Sequence, residues 1–371
     1  MTSRQRLLAA YNHQPVDRIP CSPRVAAWMR EYYGDSGLPT KLRMADEFGF
    51  DPHANISVFS HPVGLTPSVN FNLPKVEISA IDEGFDGDLH VVRRVFKTPA
   101  GTLTDVTKIP PAGDRSFGMS PNPFRTEFLV KEPGDLEALR YLMPKQDTVS
   151  LELYFATERL FGERGLIALN IMSPLCHRAG DVLSMENLMI AYYEDRAFFD
   201  ALLAMFHEEM MAEIEHAIQG GVVHFFANWY YNSMSSGWSP TIWREAFAPQ
   251  LTAMCERIHA AGGTVNFYDD GAFMPIAELL ADTGIDVLQT LTPPPVGDTD
   301  LAKLKDTIGD RVCLMGYVDL IYVLQRGTPE LIDQTVKEAI DIAGPTGFIL
   351  GSSDSFRDGT PVENIQAYFD A

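Results

Sequence analysis

The stretch VNFYDDG, residues 265–271, is where the reading of the fold begins. Val and aromatics mark a buried strand, and this one finishes in a tyrosine, two aspartates and a glycine. Side chains of a strand alternate between its faces, so Asn266, Tyr268 and Asp270 share one side while Phe267 and Asp269 share the other. A strand that is apolar along its length and polar only at its end fits a parallel α/β sheet, where the segments after the strands carry the chemistry.

The pattern recurs on both sides. VVHFFANW (222–229) precedes the stretch, and DVLQTLTP (286–293), VCLMGYVD (312–319) and GFILGSSDS (347–355) follow it, with helical segments between. Ser239 is placed to cap the helix of 239–263 and Pro240 to open its first turn, with Gly262 or Gly263 as the stop; Thr328 and Pro329 repeat the arrangement. Five strands with intervening helices read as successive βα units. Segments 19–23 and 166–174 are earlier strand candidates. Residues 185–219 read as helical, with Phe198, Leu202, Met205, Met210, Ile214 and Ala217 on one broad face. Segment 75–109 differs, because the turn signals DG and PAG separate β-rich runs as in an antiparallel excursion. No linker cuts the chain and no GxGxxG motif supports a dinucleotide fold. The expected architecture is α/β and a single domain over 1–371: a (β/α)8 TIM barrel with an N-terminal antiparallel β insertion at about 75–109.

Of 371 residues, 50 are acidic and 29 basic, a formal net charge of −21. Polyanions are held by clustered Lys and Arg, so nucleic acid and anionic membrane are not expected partners. Cys21, Cys176, Cys255 and Cys313 lie far apart without a CxxC pair, which argues against a disulfide scaffold and a Cys-rich zinc module. No run of eighteen apolar residues and no signal-peptide pattern occurs, so the expected location is the cytoplasm. HEEMM (207–211) lacks the second histidine of the zinc-peptidase pattern.

In a barrel, catalytic groups gather where strands end. The polar endings are NWYYN (228–232), YDDG (268–271), QTLTPPP (289–295), GYVD (316–319) and GSSDS (351–355). Asp270 is the leading catalytic candidate, with Tyr268 on the same face as a hydrogen-bond donor to a substrate oxygen; the plainer reading of Asp270 is a helix cap. Asp354 carries the same two readings. Asp269 and Asp319 are expected to be caps, and His224 a hydrogen-bonded core residue. Arg24 is a candidate holder of a substrate carboxylate. His177 is a candidate acid, base or substrate contact, and Asn228, Tyr230, Gln289 and Ser353 are candidate substrate contacts at strand endings.

RQRLLAAYNHQPVDRIP, SPTIWREAFAPQL, AGGTVNFYDDG, GIDVLQTLTPPPVGDTDLAKLKDTIGDRVCLMGYVD, LQRGTPELIDQTVKEAIDIAG and GTPVENIQAY, in that order, resemble the uroporphyrinogen decarboxylase superfamily. That superfamily also contains corrinoid-dependent methyltransferases, and the 75–109 excursion with its TPAG is similar to the β insertion of the methyltransferase-like branch. The resemblance implies a (β/α)8 barrel with its site in the mouth. The haem-pathway decarboxylases carry paired arginines after the first strand and an aspartate after the second. Here CSPRVAAWM offers Arg24 with Trp28 in place of the second arginine, and FDPHANISVF ends without the aspartate. The methyltransferases hold zinc with His-x-Cys after one strand and Cys after the last. Tyr268 stands at the histidine, Asp270 at the first cysteine and Asp354 at the last, with Gly271 retained. Asp270 and Asp354 are thereby the metal candidates, although hard oxygen donors suit a thiolate-type zinc site poorly.

The resemblance makes methyl transfer between a small substrate and a corrinoid (cobalamin) cofactor the first expectation. Decarboxylation of a porphyrinogen or small acid is the alternative, and a non-catalytic tetrapyrrole-binding barrel the third. The partners expected are the small-molecule substrate, a corrinoid protein and, for assembly, a second copy of the chain.

Overall fold

Two sheets organise the computed structural model, which describes residues 1–64, 68–69, 71, 73–111, 122–228 and 237–371. The strands in chain order are β1 (His53–Ile56), β2 (Glu77–Asp86), β3 (Leu89–Thr98), β4 (Gly101–Ile109), β5 (Phe124–Glu127), β6 (Leu166–Met172), β7 (His224–Asn228), β8 (Thr264–Tyr268), β9 (Val287–Thr290), β10 (Cys313–Val318) and β11 (Phe348–Ser352). The chain divides into one unit of Met1–Val58, Ser150–Ile171 and Ala217–Ala371 and a second of Phe59–Val149 and Met172–His216.

The first unit holds a parallel sheet ordered β1-β6-β7-β8-β9-β10-β11. Strands buried on both faces need near-continuous apolar side chains, and β9 and β11 are buried at every residue. Each of the six later strands lies within a segment expected from the sequence; β1, only four residues long and carrying His53 and Asn55, was not read as one. Segment 19–23 forms a single parallel bridge, Cys21 to Leu350. Ser22 N donates to Leu350 O at 2.7 Å and Leu350 N to Pro20 O at 2.9 Å, while Asp51 N donates to Cys21 O at 2.7 Å. Pro20 and Pro23 have no amide hydrogen, so the pairing stops there.

Helix Ser3–Tyr11 begins at a capping box of Thr2 and Gln5. Its Leu7, Ala10 and Tyr11 pack with Leu166, Val287 and Cys313, the first residues of β6, β9 and β10. Burying aliphatic side chains of this size stabilises the unit by about 1.5–3 kcal/mol each. The helix covers the end where strands begin, which leaves the chemistry to the end where they finish. Ser239 caps through Ile242 N at 3.2 Å and Thr328 through Leu331 N at 3.3 Å, as the sequence expects. Asp319 accepts from the amides of Ile321 and Tyr322, and His224 Nδ1 lies 2.9 Å from Thr264 Oγ1.

In the second unit, β2-β3-β4-β5 form the antiparallel sheet. DG and PAG make its first two turns, with Asp86 opposite Leu89 and Thr98 opposite Gly101. The sheet extends past the expected 75–109 by β5. Along β3, Val92, Arg94 and Phe96 share the buried face. Arg94 Nε reaches Asp105 Oδ1 on β4 at 3.0 Å and Arg125 Nε on β5 reaches Asp105 Oδ2 at 3.1 Å, all three side chains fully buried. The helical stretch 185–219 is two helices, Met185–Glu194 and Arg196–Gln219, because the Asp195 carboxylate accepts from Phe198 N at 3.0 Å and starts the second. The six residues of its expected face are buried. Among the described residues no helix is long and apolar enough to cross a membrane.

Removing the acid of a buried charge network strands its cations. Asp105→Ala is therefore expected to lower stability by about 3–5 kcal/mol, seen as a fall in the urea midpoint at unchanged slope. An unchanged midpoint would show that the network adds nothing net.

Candidate active site

The end of β8 places the central phenol. Tyr268 stands in register with Asn228 on β7 and Gln289 on β9. Its ring belongs to a buried layer with Ala168 and Phe226, the Phe226 centroid 5.5 Å away. Asn266, two residues earlier on the same face, lies 3.5 Å from Gln289 Nε2, so the alternation read from the sequence holds. The backbone then ties residues 24–28 to the segment after β11. Phe356 N donates to Arg24 O at 2.8 Å, Trp28 N to Phe356 O at 3.1 Å, and Trp28 Nε1 to Thr360 O at 2.9 Å.

This lacing brings Arg24, Tyr268 and Asp354 together. Arg24 Nη1 lies 3.1 Å from Asp354 Oδ1, and its guanidinium carbon sits 4.6 Å from the centre of the Tyr268 ring. Tyr268 donates to Asp354 Oδ1 at 3.4 Å, and Arg357 Nη2 donates to Asp354 Oδ2 at 3.1 Å. Asp270 shares a hydrogen bond with Tyr268. Burial, and then the nearby Asp354 charge, push the Asp270 carboxyl up to about 6, outweighing Tyr268, Arg24 and Arg357, which act the other way. Burial likewise raises the Tyr268 phenol, with Arg24 opposing and the two aspartates assisting. For Arg24, burial works against the charge, but Tyr268, Asp354 and Asp270 outweigh it and the shift is upward. The result is an acid poised near the physiological range, beside a phenol that keeps its proton.

The same contacts bear on the metal candidates. Both oxygens of Asp354 face a guanidinium, and a cation between Asp270 and Asp354 would meet two fixed positive charges. The donor set does not suit a divalent metal. Among the described residues no group of three or more His, Cys, Asp or Glu side chains is arranged to hold one.

The remaining candidates divide. Asn228 ends β7 beside Tyr268, and Gln289 lines a cavity of about 190 Å3 together with Arg24. The Ser353 hydroxyl accepts from Leu320 N at 3.2 Å, a structural link between the segments after β10 and β11. His177 belongs to the second unit, where burial, and then Arg178, push it down to about 3 and keep it neutral. Tyr230 lies outside the described residues. At the turn after YDDG, the amides of Phe273 and Met274 are taken by Asp298, at 2.9 and 3.2 Å. Arg357, Lys41, His53, Ser22 and Ser355 were not singled out in the sequence. Ser355, which closes the polar ending GSSDS, and Arg357, three residues beyond Asp354, carried a signal there.

Parallel strands whose ends gather an acid, a phenol and arginines define an α/β protein with a polar site where its strands finish. Comparison with known proteins gives the family: the chain belongs to the uroporphyrinogen decarboxylase (URO-D) family, whose model matches residues 117–371. It is 24% identical to uroporphyrinogen decarboxylase of Anaeromyxobacter dehalogenans (strain 2CP-C) over 99% of this chain and 97% of that one. It is 26% identical to the chloroplastic uroporphyrinogen decarboxylase 2 of Arabidopsis thaliana over 46% of this chain and 41% of the relative. Among solved structures, a methyltransferase from Methanosarcina mazei shares the fold with a TM-score of 0.62 at 17% identity, covering 100% of this chain and 98% of that one.

Asp354→Asn removes a charge that holds the Asp270 carboxyl up and frees two guanidiniums that pull it down. The Asp270 titration, followed by carboxyl carbon NMR, is expected to move below about 6. A midpoint that stays or rises would contradict the electrostatic account.

Proposed function

We propose that this chain is a methyltransferase-like member of its family, taking a methyl group from an oxygen or nitrogen of a small substrate and passing it to a corrinoid carried by a partner protein. The observation that carries the reading is the half-buried Asp270 carboxyl set against Tyr268, which desolvation and the Asp354 charge raise to about 6. A heteroatom is a poor leaving group unless it gains a proton as its bond to the methyl carbon breaks, and a carboxyl half-protonated near pH 6 supplies one. The electron pair of the broken bond stays on the heteroatom, the Asp270 proton joins it, and the methyl group leaves to the acceptor. A reduced corrinoid supplies the nucleophile for that methyl group. Tyr268 orients the acid, and Arg24 holds the phenol ring in place from above.

The reading includes closure of the parallel sheet. Cys21 pairs with Leu350 on one side, through Ser22 N and Pro20 O, and its own carbonyl accepts from Asp51 N, just before β1, on the other. An eighth strand at 19–23 would therefore join the two edges into a (β/α)8 barrel, with Arg24 at its mouth. A second reading, decarboxylation, draws on the relatives named as decarboxylases and on the same acid. There Asp270 would protonate the carbanion left when carbon dioxide departs.

The test incubates the purified chain with cob(I)alamin and a panel of small methoxy and methylamine compounds, read by the visible spectrum of the cobalamin. Methyl transfer is expected, falling as pH rises past about 6 because the acid form of Asp270 is lost. Asp270→Asn should reduce the rate about 100-fold or more, and Tyr268→Phe by less. Carbon dioxide release from small acids without methyl transfer would overturn the first reading in favour of the second.

A further inference from the structure

The cavity that Arg24 and Gln289 line has an unusual wall for so acidic a protein. Among the described residues, the side chains around it include two cations, Arg24 and Lys41, and no aspartate or glutamate. Lys41 projects from helix Leu38–Phe48 and donates to His53 O. Among the described residues it has no carboxylate partner, and burial, then Arg24, push it down to about 8, so it still carries charge near neutrality. A buried cation beside a second cation is unfavourable unless an anion joins them.

The polar atoms of the wall point the same way. Ser22 Oγ, His53 Nε2 and Ser355 Oγ are buried and lack a hydrogen-bond partner, while Arg24 Nη1 is paired with Asp354 at 3.1 Å. All four residues line this one cavity. Buried polar atoms in folded proteins are nearly always satisfied, so three unsatisfied ones around a single space point to a polar occupant that supplies the partners. His53 is neutral, since burial, then Lys41, His224 and Arg24, push it down to about 3, and its ring nitrogen is available to donate to an oxygen. The rest of the wall joins apolar Met29, Leu38, Ala54 and Met315 with uncharged polar Ser36, Asn55 and Gln289.

We propose that this cavity binds a small organic carboxylic acid, its carboxylate met by Lys41 and Arg24 and its apolar body seated against Met29, Leu38 and Met315. The volume of about 190 Å3 limits the ligand to a small molecule. The cations choose an oxyanion, and the methionines and leucine choose one with a hydrocarbon body over inorganic phosphate. Calling this ligand the substrate, or the part of it that anchors, rests on the function proposed above; the pocket's preference does not.

Titration calorimetry of the full chain with benzoate, butanoate, benzamide and inorganic phosphate near neutral pH tests the proposal. At least one carboxylate is expected to bind about tenfold or more tighter than benzamide and than phosphate. Lys41→Met should weaken that binding about tenfold while leaving benzamide unchanged, and Ser355→Ala should weaken it by a smaller factor. Should Lys41→Met fail to fold, Lys41→Gln takes its place. No carboxylate binding, equal binding of benzamide, or phosphate binding as tight as the carboxylates would each overturn the proposal. Asp270→Asn is expected to retain carboxylate binding. Binding without methyl transfer would overturn the reaction and leave the pocket standing; methyl transfer without carboxylate binding would do the reverse.

Discussion

The Asp354 carboxylate is the constraint on which the site depends. Arg24 and Tyr268 meet one of its oxygens and Arg357 the other, so three distant parts of the sequence share one anion. The guanidinium of Arg24, stacked over the Tyr268 ring, fixes the plane of the phenol while pairing with the acid. One carboxylate against two guanidiniums leaves a net positive cluster whenever Asp270 is protonated. That balance explains why Asp270 departs from ordinary carboxyl behaviour only moderately: burial and Asp354 favour its neutral form, and the arginines resist.

Charge is distributed unevenly between exterior and interior. The formal net charge is −21, yet among the described residues the cavity wall carries cations and no acids. An acidic exterior repels an approaching anion, but at physiological salt that field decays within about 8 Å, and contacts inside the cavity then decide. The arrangement favours a small anion, which buries its charge completely, over a large polyanion that would leave charges against the acidic surface. This is a physical reason to look for a small acid in a family named for a many-carboxylate tetrapyrrole.

The parallel strands were legible because strands buried on both faces cannot avoid apolar runs. The exceptions are informative. HANI in β1 is short and carries His53 and Asn55, residues turned to the cavity rather than to apolar neighbours. Segment 19–23 is punctuated by Pro20 and Pro23, so only one bridge forms. In the antiparallel sheet the polar Arg94 hid a buried position, because its partner Asp105 lies 11 residues away and Arg125, which shares that carboxylate, 31. Tyr268, Asp270 and Asp354 were legible because each closes or follows a strand, and the structure does bring them together with Arg24. Ser353 satisfied the same rule, but its hydroxyl is occupied by Leu320 N. Lys41 satisfied no rule, since only tertiary packing carries its helix to the cavity.

The proton inventory narrows the chemistry further. The Tyr268 phenol is held above its ordinary value, so it neither acts as a base nor loses its proton during a turnover near neutrality. Lys41 and Arg24 are cations whose task is charge, and His53 is neutral and committed to hydrogen bonding. Among the described carboxyls of the cluster, Asp270 is the one raised to about 6, where it can both release and regain a proton. When it releases one, the resulting anion stands near Asp354 and is repelled by it, which raises the drive to take a proton back from solvent. Tyr268, hydrogen-bonded to Asp270, holds the carboxyl in one orientation through both halves of the cycle. For the function proposed above, such a site would donate one proton and then take one back from solvent, which suits departure of a single leaving group better than a chain of successive proton transfers.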